Sequence, residues 1–394
     1  MRILFLNELR GYFGGVEQCV ADSSRGLASR GHECHLVYRS ETGREPARFD
    51  GGFVSVQPCA DLGEAGEGTV AALRAAIQRV RPDVIYVHKA GSIEAVLDAA
   101  GPVRVVRMIH DHDLVCPRRH KYDAYTGRTC QRPAGLRCVL DLAFLERAPQ
   151  ARLGVGLVNV ADRLRELDRH RRGPRLLVAS RYMRQELERN GCDPERIRVL
   201  PPCLEVHSTD GVPVPDEARL LYVGQLIRGK GVDLLLHALA RLAPEYRLDV
   251  LGTGNADAEL RLLAHRLGVA HRVTFHGWTP SSRTGAHFDA SRIVVVPSRW
   301  PEPFGMVGVE AMAHGRAVVG FDVGGISDWL EHGVTGLLAP EQNVAEFARA
   351  IEVLHRTPGM AATLGEAGAR RYQSLYRYPQ LVSRLESELE DAAA

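Results

Sequence analysis

Two glutamates, Glu302 and Glu310, frame the segment EPFGMVGVE. Pro303 favours the first turn of a helix, so the sequence predicts a helix over 304–313. Its first amides, near Gly305, Met306 and Val307, have no acceptor within the helix. At a rise of ~1.5 Å per residue, Glu310 falls on the order of 9 Å from that start. Two carboxylates flanking a helix N-terminus can bracket one ligand. The carboxylates accept hydrogen bonds from hydroxyls, and the amides face an anion. An elongated molecule with hydroxyls at both ends and phosphates between them matches that span.

A second anion-binding segment is GQLIRGKG, positions 224–231. It has the glycines and Lys230 of a P-loop, but Gly231 stands where the magnesium-binding Ser or Thr belongs. What survives is a flexible loop before a helix, with two cations, Arg228 and Lys230. It reads as a phosphate or diphosphate site, with a plain surface turn as the alternative. Neither Gly252, Thr253, Gly254 nor the glycines of 11–15 have the spacing of a dinucleotide fingerprint, which argues against a nicotinamide enzyme. His110 ends the run VRVVRMIH and is followed by Asp111, His112 and Asp113. A histidine there is either a site residue or a satisfied core residue. Cys116, Cys130 and Cys138 cluster in sequence without a Cys-x-x-Cys pair. Packed thiols, a structural metal and a disulfide all fit.

The elements that must position these residues are legible as short apolar runs alternating with helical periodicity. Strands are predicted at 3–6, 34–38, 84–88, 103–109, 176–179 and 197–200, then at 220–223, 248–251, 273–276, 293–296 and 317–321. Helices fall between them, and a helical tail covers 372–390. Buried strands alternating with helices imply parallel sheets covered on both faces, so the class is α/β with doubly wound, Rossmann-like domains. Ligands in such sheets bind beyond the carboxyl ends of the strands. The polar, proline-bearing stretch 206–217 reads as a linker between an N-terminal domain, 1–205, and a C-terminal domain, 218–370. Residues 371–394 form a further helix.

The composition fits a folded two-domain protein. The chain has 394 residues, 45% hydrophobic and 25% charged, and its formal net charge is only +2. No bulk electrostatic grip on nucleic acid is implied. No apolar run reaches the ~18–20 residues of a membrane span, and the N-terminus reads as a strand, so the expected location is cytoplasmic. The arginine-rich stretch 157–175 is read as a solvated helix face, or as a contact for anionic lipid or a phosphorylated acceptor.

The context PSRWPEPFGMVGVEAMAHGRAVV resembles the retaining glycosyltransferases of family 4, with their Glu, seven residues, Glu motif and two-domain GT-B fold. YVGQLIRGKGVDLLLHAL, LDVLGTG, VTFHGW, VGGISDWLEHGVTGLLAP and the N-terminal GGVEQCVADSSRGLASRGHECHLV are similar to the same family. The resemblance spans nearly the whole chain and is most specific over 219–340. It implies two Rossmann-like domains facing a cleft, with a nucleoside diphosphate sugar on the C-terminal domain and an acceptor on the N-terminal one. It also implies that the tail helix returns to the N-terminal domain.

By the same resemblance, Glu302 lies near the donor sugar and Glu310 on the ribose, and Gly305, Met306 and Val307 lie over the sugar and phosphate. Lys230 clamps the diphosphate. Gln225 replaces the usual arginine, and Arg228 is expected to supply its charge. Gly14 and Gly15 close on the diphosphate, and His110 sits close to the reacting sugar. Transfer with retention, without a cofactor or divalent metal, is what the family implies. The acceptor is an unknown glycan, lipid-linked or small molecule, and contact with the inner face of a membrane is compatible. A nucleotide-sugar epimerase or a non-catalytic sugar-nucleotide-binding protein are the alternatives.

Overall fold

The structure is a computed structural model and describes residues 1–63, 66–122, 128–147, 155–206, 208 and 211–394. It divides into two compact units. One comprises Met1–Lys121, Gln131–Glu205 and Tyr378–Ala394. The other comprises Tyr122–Cys130 and Val206–Arg377. Positions 207, 209 and 210 of the predicted linker lie outside the described residues.

In the first unit the strands are β1 (Arg2–Arg10), β2 (Glu33–Glu41), β3 (Ser55–Pro58), β4 (Val84–Val87), β5 (Arg104–Ile109), β6 (Leu145–Arg147), β7 (Val155–Leu157), β8 (Arg175–Val178) and β9 (Ile197–Val199). Seven of them form one sheet in the order β3-β2-β1-β4-β5-β8-β9, and β6 pairs with β7 apart from it. All pairings in the large sheet are parallel. The residues of β4 are buried, as expected for strands covered by helices on both faces.

The second unit has β10 (Arg219–Val223), β11 (Arg247–Leu251), β12 (Val273–Gly277), β13 (Ile293–Val296), β14 (Ala317–Phe321) and β15 (Gly336–Ala339). Their order is β12-β11-β10-β13-β14-β15, again parallel throughout. Both sheets are doubly wound. Strand order reverses between β1 and β4 in one, and between β10 and β13 in the other. The crevice beyond the strand ends at such a reversal is the binding place of this architecture. It falls at the loops after β1 and β4, and at those after β10 and β13.

Two expectations need correction. The short strands β3 and β15 were not anticipated. They are edge strands of four residues each, and neither is a continuous run of large apolar residues: β3 reads Ser-Val-Gln-Pro and β15 opens on glycine. The boundary expected at 370/371 falls inside the helix Met360–Leu375. The break comes at Tyr376, and the helix Tyr378–Ala393 starts afresh with Pro379 in its first turn. That last helix belongs to the first unit, where the Tyr378 hydroxyl donates to the Asp22 carbonyl at 2.6 Å and Val382 packs on Gly26.

Candidate functional site

In the second unit the loops after β10 and β13 are laced together. The amides of Arg299 and Trp300 donate to the Gly229 carbonyl at 2.9 and 3.0 Å. Arg299 donates to the Arg228 carbonyl at 2.7 Å and pairs with Asp233 at 2.6 Å. Gly231 sits between the loops with φ +69°, and a Cβ there would come within 1.9 Å of the Pro297 carbonyl oxygen. The glycine that spoils the P-loop match is therefore required by this close approach.

The lacing brings Lys230 and Glu302 together. The ammonium lies 2.7 and 3.0 Å from the two carboxylate oxygens. It also lies 5.2 Å from the Trp300 ring centroid. Ser298 donates its hydroxyl to the same carboxylate. Glu302 is 3% exposed. Burial alone would raise its carboxyl. The Lys230 charge and hydrogen bonds from Lys230, Ser298 and Trp300 outweigh that and hold it below the ordinary value. Glu302 is thus an ionised, immobilised acceptor, while the Lys230 side chain keeps 23% of its surface.

The predicted helix starts two residues later than expected, at Met306, and runs to Ala313. Pro303 lies in the preceding loop instead. Gly305 is the cap residue, with φ +89°, and a left-handed cap of this kind was not legible from the proline. The first-turn amides of Met306 and Val307 stand where no intrahelical acceptor exists. Glu310, half-buried, follows about 6 Å along the axis from Met306, not ~9 Å.

Trp329 supports this turn from below. It is fully buried and donates its indole N–H to the Phe304 carbonyl. Its ring would lie 1.9 Å from a Cβ on Gly308, so only glycine fits there. Gln225 directly follows the Gly224 turn, half-buried, its carbonyl accepting from the Tyr222 hydroxyl at 2.9 Å. Arg228 is exposed on the loop.

In the first unit, Gly14 caps the helix Gly15–Ser29, and its amide donates to the Glu17 carboxylate at 2.9 Å. Burial pushes the Glu17 carboxyl up to about 7, against the hydrogen bonds it accepts. His110, at the end of β5, meets His88, at the end of β4, with Nε2 and Nδ1 2.9 Å apart and the rings stacked. Burial, then the neighbouring His88, Lys89 and Arg107, hold the His110 imidazole well below its ordinary value, so it is neutral. His88 is pushed down to about 3, first by burial and then by Arg107.

Asp111 and Asp113 both face Lys89, at 2.6 and 2.5 Å. Burial and the Asp113 charge push Asp111 up to about 6. Burial also works against an ionised Asp113, but Lys89 outweighs it and keeps that carboxyl low. His112 is fully buried, its ring edge-on to Tyr182. The three consecutive residues therefore do not converge on one point.

All eight cysteines are free thiols. Among the described residues, ligating atoms gather within 4.8 Å at Cys19, His88 and His110, and at His32, Glu386 and Glu390. Neither group includes Cys116, Cys130 or Cys138. Of the sequence-predicted residues, Lys230, Glu302, Gly305, Met306, Val307, Glu310, Gln225 and Arg228 belong to the second unit, and Gly14, Gly15 and His110 to the first. Sequence reasoning missed Ser298, Trp300, Trp329, His88, Lys89 and Glu17. His88 and Lys89 could have been found, because they follow a strand next to the reversal point.

Two doubly wound, parallel-sheet units in one chain are the architecture of the GT-B fold. Residues 13–208 match the family model described as Glycosyltransferase Family 4, and residues 208–371 the one described as Glycosyl transferases group 1. The chain belongs to the family-4 glycosyltransferases. It is 32% identical to the D-inositol 3-phosphate glycosyltransferase of Pseudarthrobacter chlorophenolicus, over 54% of this chain and 55% of that one. It is 28% identical to the enzyme of the same name from Acidothermus cellulolyticus, over 98% of this chain and 87% of the relative. The chain thus spans about half the length of the first of these relatives. The crystal structure of Anabaena HepE in complex with UDP-glucose superposes with a TM-score of 0.76, at 20% identity, covering 99% of this chain and 100% of that one.

Proposed function

We propose that the protein transfers a sugar from a nucleoside diphosphate sugar to an acceptor hydroxyl of a glycan, a lipid-linked sugar or a small molecule, with retention at the anomeric carbon. The observation that carries this reading is the Lys230–Glu302 pair beside the helix start at Met306. It offers an ionised acceptor for sugar hydroxyls and a cation with amides for the diphosphate. Glu302 orients the sugar, Glu310 takes the ribose hydroxyls, and Lys230 with Arg228 and the Met306 and Val307 amides holds the diphosphate. Gln225 contributes a neutral hydrogen bond. Gly14 and Gly15 contribute backbone at the other helix start, and neutral His110 lies near the reacting sugar.

The bond from the anomeric carbon to the diphosphate oxygen breaks. The acceptor oxygen adds to the same face, and its proton passes to the leaving diphosphate. Cations and amides aimed at that oxygen stabilise the charge it develops. A thermal-shift panel of UDP-, GDP-, ADP- and dTDP-sugars, followed by NMR of the product's anomeric proton, tests the reading. HepE makes uridine the first base to try. The absence of a shift with every donor, or an inverted anomer, overturns it.

Two further outcomes are expected. Glu310→Ala weakens nucleoside diphosphate binding by ~1.5–3 kcal/mol, the worth of a hydrogen bond to a charged group. Unchanged calorimetric affinity removes Glu310 from the ribose. Turnover continues in excess EDTA, because Lys89 already supplies a positive charge between Asp111 and Asp113. Loss on chelation that Mg²⁺ or Mn²⁺ restores assigns a metal to those carboxylates, and elemental analysis reads any ion held at Cys19, His88 and His110.

A further inference from the structure

The imidazole of His88, directly after β4, is fully buried. The Phe5 ring lies nearly parallel to it at 5.7 Å between centroids, and the Tyr86 ring stands edge-on at 4.3 Å. The His88 amide donates to the Leu6 carbonyl at 2.9 Å. Packed by two rings and tied through its main chain, the imidazole is held in one orientation. One of its nitrogens, Nδ1, meets His110 Nε2 at 2.9 Å. The other, Nε2, is enclosed and has no hydrogen-bond partner. His110 is half-buried at the end of β5. Its Nδ1 has no partner among the described residues and is not enclosed, so that nitrogen opens outward.

A hydrogen bond between two imidazoles needs a proton on one nitrogen and a lone pair on the other. Both rings are neutral, as burial and the nearby cations require, so each carries a single N–H. Were His110 the donor, the one proton of His88 would sit on Nε2, sealed away from any acceptor. With His88 as the donor, its proton on Nδ1 is used in the bond, and only a bare lone pair is left at Nε2. Buried N–H groups without an acceptor are rarer than under-used acceptors, and they lose their hydration without return. The second arrangement is therefore the stable one, and it settles His110 as well. Its Nε2 accepts, so its only proton lies on Nδ1, the nitrogen that opens outward.

We propose that His88 is a positioning residue: it locks His110 in the form protonated on Nδ1, so the site offers the transferred sugar a hydrogen-bond donor and no base. The role rests on the transfer reaction proposed above, whereas the place of the proton does not. The arrangement leaves the departing diphosphate to take the acceptor's proton, because His110 turns no lone pair outward. Long-range proton–nitrogen NMR of the full chain, labelled in its histidine ring nitrogens, reads both tautomers, with His88→Leu and His110→Asn identifying the signals. In the free protein at neutral pH both rings are expected to show a protonated Nδ1 and a bare Nε2. A protonated Nε2 on either ring overturns the proposal, whether or not a sugar donor is found to bind. In His88→Leu the Nε2-protonated form of His110 appears, and turnover falls about 10- to 100-fold, the worth of one misdirected hydrogen bond. Calorimetric affinity for the nucleoside diphosphate stays unchanged, since its site lies in the second unit. His88→Asn, whose amide can donate from near the place of Nδ1, keeps the Nδ1-protonated form and more of the turnover. A His110 tautomer that His88→Leu leaves untouched overturns the proposal, as does wild-type turnover in that variant. If His88→Leu does not fold, the wild-type spectrum and His88→Asn decide.

Discussion

Lys230→Ala is expected to lower the turnover rate by about 100- to 1,000-fold, with a much smaller rise in the donor's KM. That loss equals ~2.7–4 kcal/mol, the scale of one lost transition-state donor. The asymmetry follows from the geometry. In the resting protein the ammonium is already engaged by Glu302, so the ground-state diphosphate gains little from it. As the sugar–phosphate bond breaks, the leaving oxygen becomes a stronger anion, and Lys230 turns part of its interaction toward it.

Glu302 suffers as well. With the cation gone, burial is opposed only by the hydrogen bonds from Ser298 and Trp300, so the carboxyl shifts upward. Residual activity in the variant should therefore rise with pH, as the carboxyl ionises again. In the wild type Glu302 contributes no such slope in the same window, because it ionises below the ordinary carboxylate value. Nucleotide release from the donor, followed from pH 5 to 9, reads both effects. The double variant with Glu302→Gln should lose far less than the sum of the singles, since the two side chains act as a unit. A Lys230→Ala protein within threefold of wild-type turnover removes the residue from the reaction.

The second large effect is on stability. Trp329→Ala should cost ~3–5 kcal/mol, the range for deleting a buried aromatic ring, and the protein should lose donor affinity before it unfolds. The ring fills the space that Gly308 leaves and anchors the Phe304 carbonyl, so its loss frees the turn holding the Met306 and Val307 amides. Gly308→Ala attacks the same contact from the other side and should cost ~1–3 kcal/mol through overpacking. Denaturant midpoints with and without nucleotide measure both. If Trp329→Ala unfolds at the wild-type midpoint, the support described for this helix is absent.

These two predictions mark what the sequence discloses and what it hides. Glu302, Glu310 and Lys230 could be picked out by type and local context, and the alternation of strands and helices sufficed for two doubly wound sheets. The pairing of Lys230 with Glu302 could not be read, because 72 positions separate them and only the packing of two loops unites them. The helix start was misjudged by two residues because a left-handed glycine, not the proline, sets it. Trp329 looked like any apolar residue of a helix, since its task depends on a missing side chain at Gly308. Leu136, Leu140 and Leu157, which keep 83, 80 and 78% of their surface, were missed for the opposite reason: periodicity assigns apolar residues to the interior, and these are not there.

The return of the helix Tyr378–Ala393 to the first unit also governs the order of events during synthesis. The groove along Cys19–Ser29 that it covers, where Val382 meets Gly26 and Glu386 meets Arg30 and His32, is translated hundreds of residues earlier. At about 5–20 residues per second, the stretch from 205 to 394 takes about 10–40 s to emerge. The second unit, nearly continuous in sequence, can close while the first still waits with an open apolar seam. The first unit is thus completed only after the second has been made, and in that interval the apolar surface around Gly26 stands open to water.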